Sequence, residues 1–183
     1  QKTTYQELWN YSDKLALYLQ LNSKTKSPVG ILGDKSSDVI ISILACMKAG
    51  LTYIPIGRNT PFARIKNMLD QAKSNTIITT ESDVLVGYEI NSLTKKNLDN
   101  IYNDAHLDPK HYLVPTTTDY IQYILFTSGT TGLPKGVLIK KSNVENYIGW
   151  LLSTYYPDDS SFTFVNQSSI SFDFSVAEIF CPL

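Results

Sequence analysis

Residues Phe126-Thr-Ser-Gly-Thr-Thr-Gly-Leu-Pro-Lys-Gly136 hold the densest chemistry in the sequence, with three glycines, three threonines, a serine and a lysine in eleven positions. Glycine lets a backbone turn several N–H groups toward one point, and hydroxyls add donors around it. One lysine then supplies the charge that an oligophosphate needs. Polar hairpin loops have a similar composition, because Gly and Thr are frequent in turns. Composition leaves both readings open. Two familiar phosphate loops are excluded by spacing. A Walker loop needs Gly-Lys-Ser/Thr with its second Gly five positions after the first, but Gly129 is followed at that distance by Pro134 and Gly132 by Val137. Gly-x-Gly-x-x-Gly occurs nowhere, including after the apolar run that ends at Gly33.

Other reactive side chains are sparse. Cys46 and Cys181 are the only cysteines and His106 and His111 the only histidines. Two thiols build no disulfide framework, and no Cys/His group has zinc-ligand spacing, so no metal site is expected. Neither histidine lies in a Ser-His-Asp pattern. Two reduced, buried thiols in a cytoplasmic protein are the expectation.

The chain has 183 residues, 43% apolar and 18% charged, with a net charge of −1, which suits one domain or a piece of a larger one. Balanced charge gives no basic stripe for nucleic acid. Val39–Met47, the longest mostly apolar run, is far short of the ~20 residues of a membrane span, so no membrane partner is expected. The start at Gln1 and the apolar stop at Cys181-Pro182-Leu183 suggest an excised segment.

Alternating strands and helices would position the loop. Thr4-Tyr5-Gln6-Glu7 reads as a capping box, and Leu8, Tyr11, Leu15 and Tyr18 follow at helical spacing. Val29–Leu32 reads as a strand, Ser36 or Ser37 as the cap of a helix ending at Ala49 before Gly50, and Thr52–Ile56 as a second strand. This is a βαβ unit. Pro61 should open a helix carrying Ile65, Met68 and Leu69, ahead of a strand at Thr76–Thr80. Val84–Ile90 is a possible strand, and Asn91–Asp108 is polar with a weak helical patch. Tyr120–Phe126 and Val137–Ile139 read as strands flanking the loop. Ser142-Asn143-Val144-Glu145 reads as a second capping box, with Val144, Tyr147, Ile148, Leu151, Leu152 and Tyr155 behind it. Phe162–Val165 should be a strand and Phe172–Phe180 should begin a helix. The pattern predicts an α/β fold with a mainly parallel sheet and flanking helices.

Tyr123-Ile-Leu-Phe-Thr-Ser-Gly-Thr-Thr-Gly-Leu-Pro-Lys-Gly136 resembles the signature loop of adenylate-forming enzymes, and other segments agree in the same order. Thr4-Tyr5-Gln6-Glu7-Leu8 resembles an early motif of nonribosomal peptide synthetase adenylation domains. Met47-Lys-Ala-Gly-Leu-Thr-Tyr-Ile-Pro-Ile56 and Pro61-x-x-Arg64-Ile65 resemble the segments that follow, and Ser171-Phe172-Asp173-Phe174-Ser175 resembles the Phe-Asp-x-Ser motif. Gly57 stands where the family commonly has Asp, and Lys141 where it commonly has His.

The resemblance implies the N-terminal part of the large domain, with the family's Tyr-Gly-Pro-Thr-Glu segment, ribose-binding Asp, hinge and C-terminal catalytic Lys all beyond Leu183. It implies that Thr127, Ser128, Gly129, Thr130, Thr131, Gly132 and Lys135 contact the phosphates of ATP, accompanied by Mg2+ whose ligands lie outside this segment. Asp173 would pair with a substrate α-ammonium, and Phe174 and Ala177 would begin the side-chain pocket. The alternative for Asp173 is a cap on the helix starting near Ser175, and for Phe174 and Ala177 a place in the core. No catalytic residue falls in the segment. The implied activity is ATP-dependent conversion of an amino acid to its aminoacyl-adenylate, for transfer to the phosphopantetheine thiol of a peptidyl carrier protein. By itself the segment is expected to be inactive. A D-alanine–carrier protein ligase, an acyl-CoA synthetase and a non-catalytic binding segment are the alternatives.

Overall fold

A computed structural model describes residues 2–22, 26–80, 88–108, 119–127, 134–156 and 163–183. Its first helix, α1 (Tyr5–Asn22), opens on the expected capping box. The Thr4 N–H donates to Glu7 Oε2 at 2.8 Å and the Glu7 N–H to Thr4 Oγ1 at 3.2 Å. The Thr4 N–H first, and then the Thr4 hydroxyl, which also donates to Glu7 Oε2 at 2.8 Å, hold the exposed Glu7 carboxyl below its usual range. The βαβ unit follows as β1 (Val29–Gly33), α2 (Ser37–Ala49) and β2 (Tyr53–Gly57). Ser36 caps α2, and Gly50 ends it with φ 67°, a left-handed conformation that costs glycine little. The α1 and α2 helices are tied by Lys48, whose ammonium lies 2.6 Å from Asp13 Oδ1 and 3.6 Å from the centre of the Trp9 ring.

Next come α3 (Phe62–Gln71), β3 (Thr76–Thr79), β4 (Asn91–Leu93) and α4 (Lys95–Asn103). The chain continues with β5 (Ile121–Thr127), β6 (Lys135–Lys140), α5 (Lys141–Tyr155) and α6 (Ser175–Phe180). The described strands form one sheet in the order β4-β3-β1-β2-β5-β6, parallel throughout except for the antiparallel β5–β6 pair.

Strand alternation divides the core between the two faces of the sheet. Val29, Ile31, Tyr53, Ile78 and Tyr123 pack under α1, α2 and α4. Leu32, Ile54, Ile56, Ile77, Ile124 and Phe126 pack under α3 through Ile65, Met68 and Leu69. Each fully buried aliphatic side chain contributes about 1.5–3 kcal/mol. Gly30 permits the close approach of α3, since a Cβ there would lie 2.8 Å from Leu69 Cδ2. The chain leaves β1 for one face and β2 for the other, which opens a crevice between the C-terminal ends of these strands.

Several expectations need correction. Of the possible strand Val84–Ile90, residues 84–87 lie outside the described segments and 88–90 are not strand, whereas Asn91–Leu93, read from sequence as polar, is a strand paired with β3. The weak helical patch is a regular amphipathic helix, α4, with Leu98, Ile101 and Tyr102 buried. Helix α5 starts at Lys141, earlier than the Ser142 box predicts. Asn143 Oδ1 accepts from the Lys140 N–H at 3.0 Å and Asp119 Oδ1 from the Ser142 N–H at 3.1 Å, so these side chains satisfy the end instead. Only Val144 of the α5 apolar stripe is buried. Thr163–Val165 is not a strand, because no described segment pairs with it, and Phe162 lies outside the described residues. Helix α6 begins at Ser175, and a turn occupies the residues from Ile170 to Phe174. Cys46 and Cys181 are free, and burial pushes the Cys46 thiol up to about 12.

Candidate active site

The glycine-rich segment closes the β5–β6 hairpin. Thr127 and Lys135 are the last ladder pair before it, and Thr127 Oγ1 lies 3.5 Å from the Lys135 carbonyl oxygen. Both residues are exposed. Ser128, Gly129, Thr130, Thr131 and Gly132 lie outside the described residues. The hairpin leaves the sheet at the C-terminal end of β5, on the edge where β1 and β2 end at Gly33 and Gly57. That edge is where open α/β sheets bind ligands. A polar cleft of about 480 Å³ occupies the crevice there, bordered by Asp34, Lys35, Arg58, Arg64, Ser169 and Ser171. The Lys35 ammonium donates to the Gln167 carbonyl across it.

Gly57 has a packing role at this edge. A Cβ on it would sit 3.2 Å from the hydroxyl oxygens of both Ser169 and Ser171. With hydrogen there instead, the 169–173 segment closes over the end of β2 and continues toward β5. At its far end Asp173 and Phe174 reach a cavity of about 340 Å³, walled by Tyr123 and Ile139 from the hairpin and by Asn143, Val144 and Tyr147 from α5.

Asp173 is the one charged group among the described residues lining this cavity. It is exposed, and no described residue hydrogen-bonds its carboxylate. It does not cap α6, whose N-terminal end has no side-chain cap. Burial, then the charge of Asp173, then Tyr147 push the Tyr123 phenol up to about 12. The Tyr147 phenol is raised by burial, then by Cys181 and Asp173. Both rings are therefore neutral near pH 7 and retain an O–H to donate beside the carboxylate.

Phe174 also borders a second, largely aromatic groove of about 520 Å³, shared with Tyr147, Trp150, Tyr155, Ala177 and Cys181. Of these two cavities, Ala177 borders the aromatic groove and not the one that Asp173 lines. Neither Phe174 nor Ala177 is core: Phe174 is 58% exposed and Ala177 half-buried. Sequence reasoning missed Tyr123, Asn143 and Tyr147 as cavity residues, although strand and helix periodicity had placed Tyr123 and Tyr147 in their elements. Among the described residues, no three His, Cys, Asp or Glu side chains group to hold a metal, and no helix is long and apolar enough to cross a membrane.

The AMP-binding enzyme family model matches residues 1–183. The chain belongs to the AMP-binding enzyme family. Within it, the D-alanine–D-alanyl carrier protein ligase of Bacillus licheniformis is 32% identical over 182 residues, which cover 98% of this chain and 36% of the ligase. Bacitracin synthase 3 of Bacillus licheniformis is 34% identical over 184 residues, 100% of this chain and 3% of the synthase. This AMP-binding chain thus spans about a third of the ligase and a small part of the synthase.

Solved structures agree on the fold. The N-terminal subdomain of Klebsiella oxytoca NpsA superposes with a TM-score of 0.80 at 28% identity, over 98% of this chain and 46% of that one. The nonribosomal peptide synthetase FmoA3 superposes with a TM-score of 0.83 at 21% identity, over 98% of this chain and 19% of that one.

Proposed function

We propose that the chain is the first part of the large domain of an ATP-dependent adenylation enzyme that activates an amino acid. In the proposed reaction a substrate carboxylate oxygen attacks the α-phosphorus of ATP, the α–β phosphoanhydride bond breaks, and pyrophosphate leaves. The carrier-protein thiol then attacks the aminoacyl-adenylate carbonyl and AMP departs. The acid needs no general base, because a carboxylate is already ionised at neutral pH. This chain's share of the work is orientation and charge stabilisation. Thr127, Lys135 and the segment between them would hold the outer phosphates, while Asp173 would hold the α-ammonium.

The observation that carries this reading is the position of Asp173. Among the described residues it is the one charge in a cavity between β5 and α5, with two neutral phenols beside it, and β5 runs directly into the hairpin of the glycine-rich segment. An ammonium there gains a charge-assisted hydrogen bond that an uncharged acyl chain cannot give. Mg2+ would accompany ATP, with its ligands outside this segment. The buried, free Cys46 thiol suits a reducing, cytoplasmic setting.

Similarity to D-alanine–carrier protein ligases and to peptide synthetase modules supports a carrier-protein partner, and either type of parent fits this segment. The test is ATP–pyrophosphate exchange by the enzyme that carries this segment, with a panel of amino acids and their des-amino analogues. Exchange with amino acids alone supports the reading. Equal exchange with the des-amino acids would make the enzyme an acyl-CoA synthetase type instead.

A further inference from the structure

Asp173 projects from a turn, and two side chains of α6 hold that turn and the segment leading into it. Ser175 is 2% exposed, and its hydroxyl donates to the Phe172 carbonyl at 2.7 Å and lies 3.4 Å from the Ile170 carbonyl. The Ser175 N–H donates to the same Phe172 carbonyl at 3.1 Å, and the Val176 N–H to the Asp173 carbonyl at 3.1 Å. Each peptide on either side of Asp173 is thereby tied to the start of α6. One turn along the helix, Glu178 Oε2 accepts from the N–H groups of Gln167 and Ser168 at 2.9 and 2.8 Å, and Oε1 accepts the Ser168 hydroxyl at 2.9 Å. Ser175 and Glu178 are three apart and therefore share a helix face.

We propose that Ser175 and Glu178 are positioning residues, which hold the Gln167–Phe172 approach at both ends so that Asp173 meets a substrate ammonium in one fixed place. The assignment rests on the ammonium role proposed for Asp173. Neither residue lines the cavity that Asp173 enters. Each satisfies backbone groups in a segment that has no strand ladder among the described residues, so the side chains do the work that a sheet does elsewhere. The two grips are unequal. Ser175 acts on the peptides adjoining Asp173, whereas Glu178 fixes the segment's entry five and six residues earlier, with a charged acceptor serving three donors.

The test uses the adenylating enzyme that carries this segment, with kinetics for an amino acid and its des-amino analogue. Ser175→Ala and Glu178→Ala should each raise the amino-acid KM about 3- to 10-fold while the ATP KM stays within about 2-fold. Glu178→Gln keeps an acceptor for the two N–H groups and should recover most of the loss. In a double-mutant cycle the Ser175→Ala effect on the ratio of amino-acid to des-amino kcat/KM should vanish once Asp173 is Asn. A Ser175 effect that persists in the Asp173→Asn background, or that strikes both substrates equally, overturns the positioning role. If Asp173→Asn alone leaves the ratio unchanged, the ammonium reading itself falls and the positioning role falls with it. Amide hydrogen exchange on the substrate-free enzyme that carries this segment tests the clamp directly. The Gln167 and Ser168 amides should be protected, and Glu178→Ala should expose them; equal protection in both proteins overturns the clamp.

Discussion

Thr127 and Lys135 face each other as the last ladder pair of β5 and β6, so whatever the intervening loop binds is delivered from a paired, antiparallel stem. The stem sets the loop's two ends by backbone pairing, which substitution to alanine leaves in place. Loss of the Lys135 side chain therefore separates ligand binding from folding.

Lys135→Ala and Thr130→Ala, each made in the adenylating enzyme that carries this segment, should lower kcat/KM for ATP. Removing one contact to a charged phosphate costs about 1.5–3 kcal/mol, or about 10- to 150-fold. The melting temperature should stay within about 1 °C of wild type, because surface changes away from packed features shift stability little. Unchanged ATP kinetics in both variants would reduce the loop to a hairpin connection.

Gly30 tests the packing that builds the far face of the sheet. Gly30→Ala places a methyl group 2.8 Å from Leu69 Cδ2 and 3.2 Å from Ile77 Cγ1, which overpacks a buried contact. The expected cost is about 1–3 kcal/mol, read as a lower urea midpoint with an unchanged m-value. Adding Leu69→Val should return part of that loss, which two independent destabilising changes would not do.

How far the sequence reveals this structure depends on whether a signal is local. The caps at Thr4, Ser36 and Gly50 are satisfied within their own turns, so α1, α2 and the βαβ unit are readable from residue types alone. The short strand Asn91–Leu93 has one buried side chain and exists through pairing with β3, which leaves almost no periodic signal. Helix α5 starts where Asp119, 23 residues upstream, meets the Ser142 N–H, a contact that local capping rules do not contain. The candidate site shows the same division. The glycine-rich segment and Asp173 stand in contiguous motifs, whereas Tyr123 and Tyr147 join Asp173 only through the packing of β5, α5 and the 169–173 turn.

Asp119 gives the α5 start a pH dependence. The Ser142 N–H is the main cause, with the Ser142 and Lys140 side chains adding to it, and together they hold the Asp119 carboxyl below its ordinary value of about 3.9. A carboxyl with a depressed folded pKa stabilises the fold fully above its unfolded pKa, and that stabilisation is lost as pH falls through the folded value. Stability should therefore drop below about pH 4, with Glu7 and Asp70, also lowered, contributing in the same direction. Asp119→Asn should flatten this part of a urea-midpoint profile recorded from pH 6 to pH 2.5. An identical acid slope in the variant would place the effect elsewhere.

Asp173→Asn tests the substrate class. The substitution keeps the size and one acceptor oxygen but removes the charge that an α-ammonium would meet. In the adenylating enzyme the amino-acid kcat/KM should fall by at least ~2–3 kcal/mol, or about 30- to 150-fold, because an ammonium placed against a neutral amide lacks its counter-charge. The ATP KM should change little, since Asp173 lines the cavity between the hairpin and α5 and neither Thr127 nor Lys135 borders it. The des-amino analogue should lose much less, having no ammonium to pair. That difference separates a binding role from a structural one. Loss of a structural contact would lower both substrates together and follow the melting temperature, and Asp173 makes no cap on α6 through which stability could be lost. Equal losses for the two substrates would remove the ammonium from the site and leave an acid without an amino group as the compound this cavity receives.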